Sequence, residues 1–183
     1  MTYRRAGKEQ TDATLAAAFE DATSTGIRQV VVASTEGVCG LKAAGLGRES
    51  GIEVIVVTHN FGFRTPSEVE MTDEVRRTIE ALGGRVLTGT MVLRGLGSAV
   101  RRKFGISDEE MVAAVLRMFG QGMKVCVEMA AMVSDAGLVR DEDIVCVAGT
   151  GRGADTAVVI SPASSNSFFD IRIRRIIVKP EEF

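Results

Sequence analysis

Tryptophan is absent from this 183-residue chain, and tyrosine and histidine occur once each. So few aromatics exclude a base-stacking platform. The two short cationic clusters, Arg101-Arg102-Lys103 and Arg172-Ile173-Arg174-Arg175, have no aromatics interleaved with them. With a net charge of −2 there is no nucleic-acid footprint either. The three cysteines, Cys39, Cys126 and Cys146, are far apart, odd in number and form no CxxC. That excludes a disulfide framework and a zinc site, and a lone histidine without metal spacing predicts no metal of any kind. Cys126 and Cys146 sit inside apolar runs, where a thiol acts as a small hydrophobe. Long apolar runs are missing too, because Arg117, Gln121, Lys124 and Glu128 interrupt the stretch from Met111 to Val133. No bilayer span is expected. Met1-Thr2-Tyr3-Arg4-Arg5 leads into no apolar segment, so no secretory leader is expected and a reducing cytoplasm is the default.

Glycine is abundant, with 20 residues, and its placement is informative. Three turns rich in glycine and hydroxyls follow three β-branched runs. Ala33-Ser34-Thr35-Glu36-Gly37 follows Gln29-Val30-Val31-Val32. Thr58-His59-Asn60-Phe61-Gly62-Phe63 follows Val54-Ile55-Val56-Val57. Gly149-Thr150-Gly151-Arg152-Gly153-Ala154-Asp155-Thr156 follows Ile144-Val145-Cys146-Val147. In an open α/β sheet, ligands bind beyond the carboxyl ends of the strands. Small residues there admit an anion to backbone N–H groups, and a following helix N-terminus adds favourable potential.

The length fits one domain, residues 1–183. Thr11 is placed to cap a helix ending at Gly26, and helices are expected over Glu36 to about Ser50 and from Thr72 to Gly83-Gly84. Buried strands are expected at Gln29–Ala33, Glu53–Thr58 and Ile144–Ala148, with a brief one at Arg85–Leu87. Thr88 to Gly105 reads as an irregular connection with a short helix. Ser107 and Glu110 match a capping box that opens one long helix to about Asp135. Arg117, Gln121, Lys124, Glu128 and Asp135 share a narrow face of that helix, read first as solvated, with Lys124 and Glu128 as an i,i+4 pair, and otherwise as a subunit contact or the floor of the pocket. Strands at Asp155–Ser161 and Ile171–Lys179 finish the chain. The order predicts a three-layer α/β/α fold on a mainly parallel mixed sheet with at least one antiparallel edge strand.

Each turn has a functional and an ordinary reading. Ser34, Thr35 and Gly37 either cap a helix or also hold an anion, and neither the P-loop nor the GxGxxG spacing is present. The alternating glycines around Thr150 and Arg152 exceed the needs of a β-turn, and Arg152 is a candidate phosphate or carboxylate ligand. His59 is the sole histidine but lacks triad or metal partners in sequence, so a ligand contact or a plain loop residue competes with an acid/base role. Phe61 and Phe63 either sandwich an aromatic ring or cover a core edge. Asn166-Ser167-Phe168-Phe169-Asp170 is a further polar and aromatic cluster, or loop packing.

On these same turns the chain resembles the small archaeal and bacterial proteins built as a free-standing pyruvate kinase C-terminal α/β domain. The matching residues are Val31-Val32-Ala33-Ser34, Val56-Val57-Thr58 with Gly62-Phe63, Gly122 to Glu128, Arg152 to Ile160, and Asn166 with Phe168-Phe169-Asp170. The resemblance implies a pyruvate kinase C-terminal domain-like fold and, in some members, a bound flavin mononucleotide (FMN). In pyruvate kinase the corresponding domain holds a sugar bisphosphate on a loop matching Ser34-Thr35-Glu36-Gly37. The kinase barrel and its catalytic machinery have no counterpart here, so pyruvate kinase activity is not expected.

The expected function is binding of a phosphorylated small molecule, FMN first. Its site comprises Ser34, Thr35, Glu36 and Gly37; Thr58, His59, Asn60, Gly62 and Phe63; and Gly149, Thr150, Gly151, Arg152, Gly153, Asp155 and Thr156. Alternatives are a flavin-dependent oxidoreductase, with His59 or Cys39 as the acid/base, and a regulatory module that binds a sugar phosphate or a protein. A homo-oligomer through the last strand is a further expectation.

Overall fold

A computed structural model describes residues 2–183. Strands β1 (Thr2–Arg5), β2 (Gln29–Ala33), β3 (Glu53–Val57), β4 (Arg85–Leu87), β5 (Ile144–Ala148), β6 (Thr156–Ser161) and β7 (Arg172–Glu182) form one sheet ordered β1-β7-β6-β5-β2-β3-β4. All neighbouring strands pair in parallel except β6, which runs antiparallel to both β5 and β7. The helices are α1 (Thr11–Thr25), α2 (Val38–Ser50), α3 (Asp73–Ala81), α4 (Gly95–Phe104), α5 (Asp108–Arg117) and α6 (Gln121–Asp135).

Alternation along the strands divides the core into two layers. Val30, Val32, Val54, Val56, Val145 and Val147 face α1, α2 and α3, meeting Leu15, Phe19, Ala43, Ala44 and Ile79. Val31, Ile55, Cys146, Val158 and Ile160 face the other way and meet Met123, Cys126, Met129 and Val133 of α6. The fold is therefore a three-layer α/β/α sandwich. Helix α2 lies against the sheet because it carries small residues. A Cβ on Gly47 would stand 2.4 Å from Val54 Cγ2. No helix among the described residues is long and apolar enough to cross a membrane.

Four expectations need correction. The antiparallel strand is internal, because β1 adds outside β7 (Thr2 opposite Lys179, Arg5 opposite Glu182) and makes β1 and β4 the edges. β1 covers β7 only over Lys179–Glu182. Thr11 is inside α1 and does not cap it; its hydroxyl donates to Lys8 O (2.6 Å) and accepts from Ala154 N. The long helix is two helices, since Gly120 takes φ +116° and the chain turns over Met118–Gly120. Ser107 does cap α5, accepting from Glu110 N at 3.2 Å. Finally, Lys124 and Glu128 are not solvated: they are 2% and 1% exposed. Helix α6 carries its apolar residues nearly all round, and the pair is sealed inside.

Candidate functional site

The strand order makes a switch point. From β2 the chain crosses to β3 and then β4 on one side, and later returns to place β5 on the other side of β2. Crossovers leaving in opposite directions open a crevice beyond the carboxyl ends of β2 and β5. The turn after β2 (residues 34–37) forms one wall and the turn joining β5 to β6 (residues 149–155) forms the other. Glu36 and Arg152 meet across it at 3.0 Å.

That pair belongs to a longer chain of charges. Arg64, in the loop after β3, approaches Glu36 at 4.0 Å and Glu70 at 3.4 Å, and Glu70 accepts from His59 Nδ1 at 3.0 Å. The bond to a carboxylate puts the ring proton on Nδ1, which leaves Nε2 of a neutral ring as the acceptor. The imidazole stacks on Phe63, with ring centroids 3.9 Å apart, and the Arg94 guanidinium lies 4.5 Å from the same Phe63 ring. All three predicted turns thus join through Arg152–Glu36–Arg64–Glu70–His59.

The individual hydroxyls differ in how far the fold uses them. Ser34 Oγ is buried and accepts from Gly40 N at 3.0 Å, so it caps the first turn of α2. Gly37 precedes that helix at φ +100°, where a Cβ would stand 2.1 Å from Val75 Cγ1. Thr58 is engaged with His59 O (2.8 Å) and Thr88 Oγ1 (2.7 Å). Asn60 Nδ2 donates to Phe61 O, and Gly62 N donates to Glu68 O. Thr35 is half-buried, and its hydroxyl bonds to no protein group among the described residues. Thr150 Oγ1 is buried and has no partner among them either.

Beneath the third turn, Asp155 is fully buried and holds it from inside: its carboxylate accepts from Thr150 N (2.9 Å) and Thr156 Oγ1 (2.8 Å). Asp155 and Thr156 are therefore the internal frame of the loop, while the Thr150 hydroxyl lies buried without a partner and the exposed Arg152 side chain reaches Glu36. Gly149 packs against the returning arm of the loop, where a Cβ would stand 2.5 Å from Gly153 O, and Gly151 stands in open space at φ +78°. Gly153 is pressed on the segment before α1, where a Cβ would lie 2.5 Å from Lys8 Cα.

Asn166, Phe168, Phe169 and Asp170 are not brought to this edge. They form a 3-10 turn, residues 165–170, at the opposite end of β6, where Asp135 at the end of α6 accepts from Ser165 N. Phe61 is exposed and stacks on no described ring. Two surface grooves, of about 480 and 450 Å³, also lie elsewhere: between α1 and α2 around Phe19 and Leu46, and near Ile27, Glu142 and Arg174.

Sequence reasoning missed Arg64, Glu70 and Arg94, which have no motif around them and reach the site only through loop geometry. It saw the i,i+4 spacing of Lys124 and Glu128 but not their burial. Lys124 Nζ donates to Glu128 Oε2 at 2.5 Å, and Glu128 Oε1 accepts from Leu93 N at 2.8 Å. The glutamate thus ties α6 to the segment that carries Arg94. Burial lowers the Lys124 pKa, against the opposing pull of Glu128. Burial pushes the Cys39, Cys126 and Cys146 thiols up, which leaves them protonated and poor nucleophiles. Among the described residues no cluster of His, Cys, Asp and Glu is suited to a metal.

No family model matches the chain. Among solved structures it is similar to O-ureido-L-serine synthase, with 18% identity over 74% of this chain and a TM-score of 0.34. An O-ureido-L-serine-bound mutant of that synthase gives 19% identity over 74% and a TM-score of 0.32. The chain spans about half the length of these structures, 50% and 49%.

Proposed function

We propose that this protein binds a phosphorylated small molecule, FMN first, at the β2/β5 switch point. The observation that carries the reading is the orphaned Thr150 hydroxyl two residues from Arg152, whose guanidinium reaches Glu36 in the turn of Thr35 and Gly37. A buried hydroxyl without a partner is costly unless a ligand meets it. A phosphate suits this donor set: two hydroxyls, a guanidinium that now sits on Glu36, and first-turn amides of a helix. Thr35, Thr150 and Arg152 would hold the phosphate, with Ser34 and Gly37 shaping the turn. His59 and Phe63 offer a flat stacked surface to a ring. A bound flavin supplies hydride-accepting chemistry there. Three reduced thiols accord with a cytoplasmic setting.

A second reading, a flavin-dependent oxidoreductase, draws on the His59–Glu70 bond, which orients the imidazole for proton transfer at Nε2. In that case His59→Ala lowers flavin reduction by NAD(P)H at saturating FMN well beyond the loss of FMN affinity that removing the stacked ring causes. FMN bound but inert to every donor favours a carrier or a sensor.

The test exploits the orphan. Thr150→Val deletes a polar atom that the free protein does not use, so the ligand-free protein keeps or gains stability, by up to about 1 kcal/mol. The same change weakens FMN about ten-fold, because a hydrogen bond to a charged oxygen is lost. Riboflavin, which has no phosphate, is unaffected. Calorimetric titration and thermal melts read both effects. If neither FMN nor any phosphorylated metabolite binds, the reading is wrong.

A further inference from the structure

We infer that a second copy of this chain docks on the outer face of α4 and α5. Seven of the thirteen exposed large hydrophobic side chains among the described residues fall within residues 96–119. Leu96 and Phe104 lie eight apart on α4, and Met111 and Val115 of α5 lie at i and i+4 with Met118, its C-cap, at i+7. Each set forms a stripe on one side of its helix. Together with Ile106 and Phe119 they are 50–76% exposed. The inner sides of the two helices are already used. Gly97 and Ala113 are buried, Glu109 Cβ lies 2.9 Å from where a Cβ on Gly97 would be, and Leu116 packs against the α6 core. The outer stripes are therefore surplus to the fold, and apolar surface on this scale marks an interaction site.

Charge identifies the occupant. Helix α4 ends in Arg101-Arg102-Lys103 and α5 begins with Asp108-Glu109-Glu110. None of these six forms an ion pair among the described residues; the three cations and Asp108 are exposed, while Glu109 and Glu110 accept from the Ser107 and Ser98 hydroxyls. A nucleic acid or a one-signed protein would meet half of this patch with like charge. A two-fold partner instead meets the cations with its own carboxylates and the carboxylates with its own cations, the self-complementarity that an isologous interface requires. Apolar stripes rimmed by these charges match the usual core-and-rim anatomy.

Sedimentation velocity on the full chain tests this over a range of concentrations. The native protein is expected at twice the monomer mass. Phe104→Glu with Val115→Glu changes two exposed residues, so circular dichroism stays native while the dimer dissociates, its Kd rising at least ~30-fold. Arg101→Glu with Arg102→Glu, and separately Asp108→Lys, each weaken self-association, and an equimolar mixture of the two regains the dimer mass. A monomeric native protein overturns the inference, as does a dimer indifferent to the glutamates. A folded Phe104→Glu/Val115→Glu variant that keeps the native mass but loses FMN also overturns it, by assigning the face to closure over the site.

Discussion

Glu128→Ala is expected to destabilise the protein by about 3–5 kcal/mol, the usual result of removing one member of a buried ion pair. The change strands the Lys124 ammonium in an apolar interior and leaves Leu93 N without its acceptor. For a domain of this size the melting temperature falls by roughly 6–20 °C. Lys124→Met combined with Glu128→Leu recovers most of the loss, because two apolar side chains carry no desolvation cost. The sign of the pH dependence follows from burial. The folded-state pKa of Lys124 lies below its ordinary value, and in Glu128→Ala the opposing pull of the carboxylate is gone. The penalty is full below the folded-state pKa. It then shrinks as the pH climbs from there toward about 10.4, where the unfolded chain releases the proton too. Urea titrations of the single and double variants between neutral and alkaline pH measure all of this. A Glu128→Ala protein as stable as the native one would show that the pair is not sealed as described.

Gly153→Ala is expected to lose about 2–5 kcal/mol and to release the loop from the body. The position has φ +82°, which costs a residue with a Cβ roughly 1–2 kcal/mol. The added carbon would also stand 2.5 Å from Lys8 Cα and 2.6 Å from Thr11 Oγ1. Backbone cannot swing aside as a side-chain tip can, so overpacking adds about 1–3 kcal/mol. The bond from Ala154 N to Thr11 Oγ1 is lost with it. Gly151→Ala is the informative control: it has a similar backbone angle but open space, so it shows the dihedral cost alone. Proteolysis within residues 149–153 and thermal melts distinguish the two. Equal losses in both variants would mean that the contact with Lys8 does not restrain the loop.

Much of the sheet was readable because Val30–Val32, Val54–Val57 and Ile144–Val147 are β-branched runs bounded by turns. Such residues, buried on both faces, have few alternatives to a central strand. Strand β1 was not readable. Thr2-Tyr3-Arg4-Arg5 has no alternation to speak of and becomes a strand only because β7 offers it an edge. The break at Met118–Gly120 was hidden for another reason: apolar residues continue through it, so periodicity shows no interruption and only the backbone angle of Gly120 marks the turn. At the site, the three turns were visible as glycine and hydroxyl clusters. What each side chain touches was not. Arg152 was read as an anion ligand, yet its partner in the fold is Glu36, and pairing between distant turns leaves no trace in local spacing. The burial of Lys124 was concealed by its charge. A sequence window weighs a lysine as solvent-seeking, whereas here a glutamate one turn away and apolar residues on every side overrule that preference.

The same break has a dynamic consequence. Because Met118–Gly120 severs the backbone ladder between α5 and α6, opening of one helix need not propagate to the other. Deuterium should enter the amides of residues 95–117 early, and those of residues 123–133 only when the whole molecule unfolds. In a dimer the early set slows with rising protein concentration while the late set keeps its rate, so one isotope-uptake series reports cooperativity within the chain and association between chains.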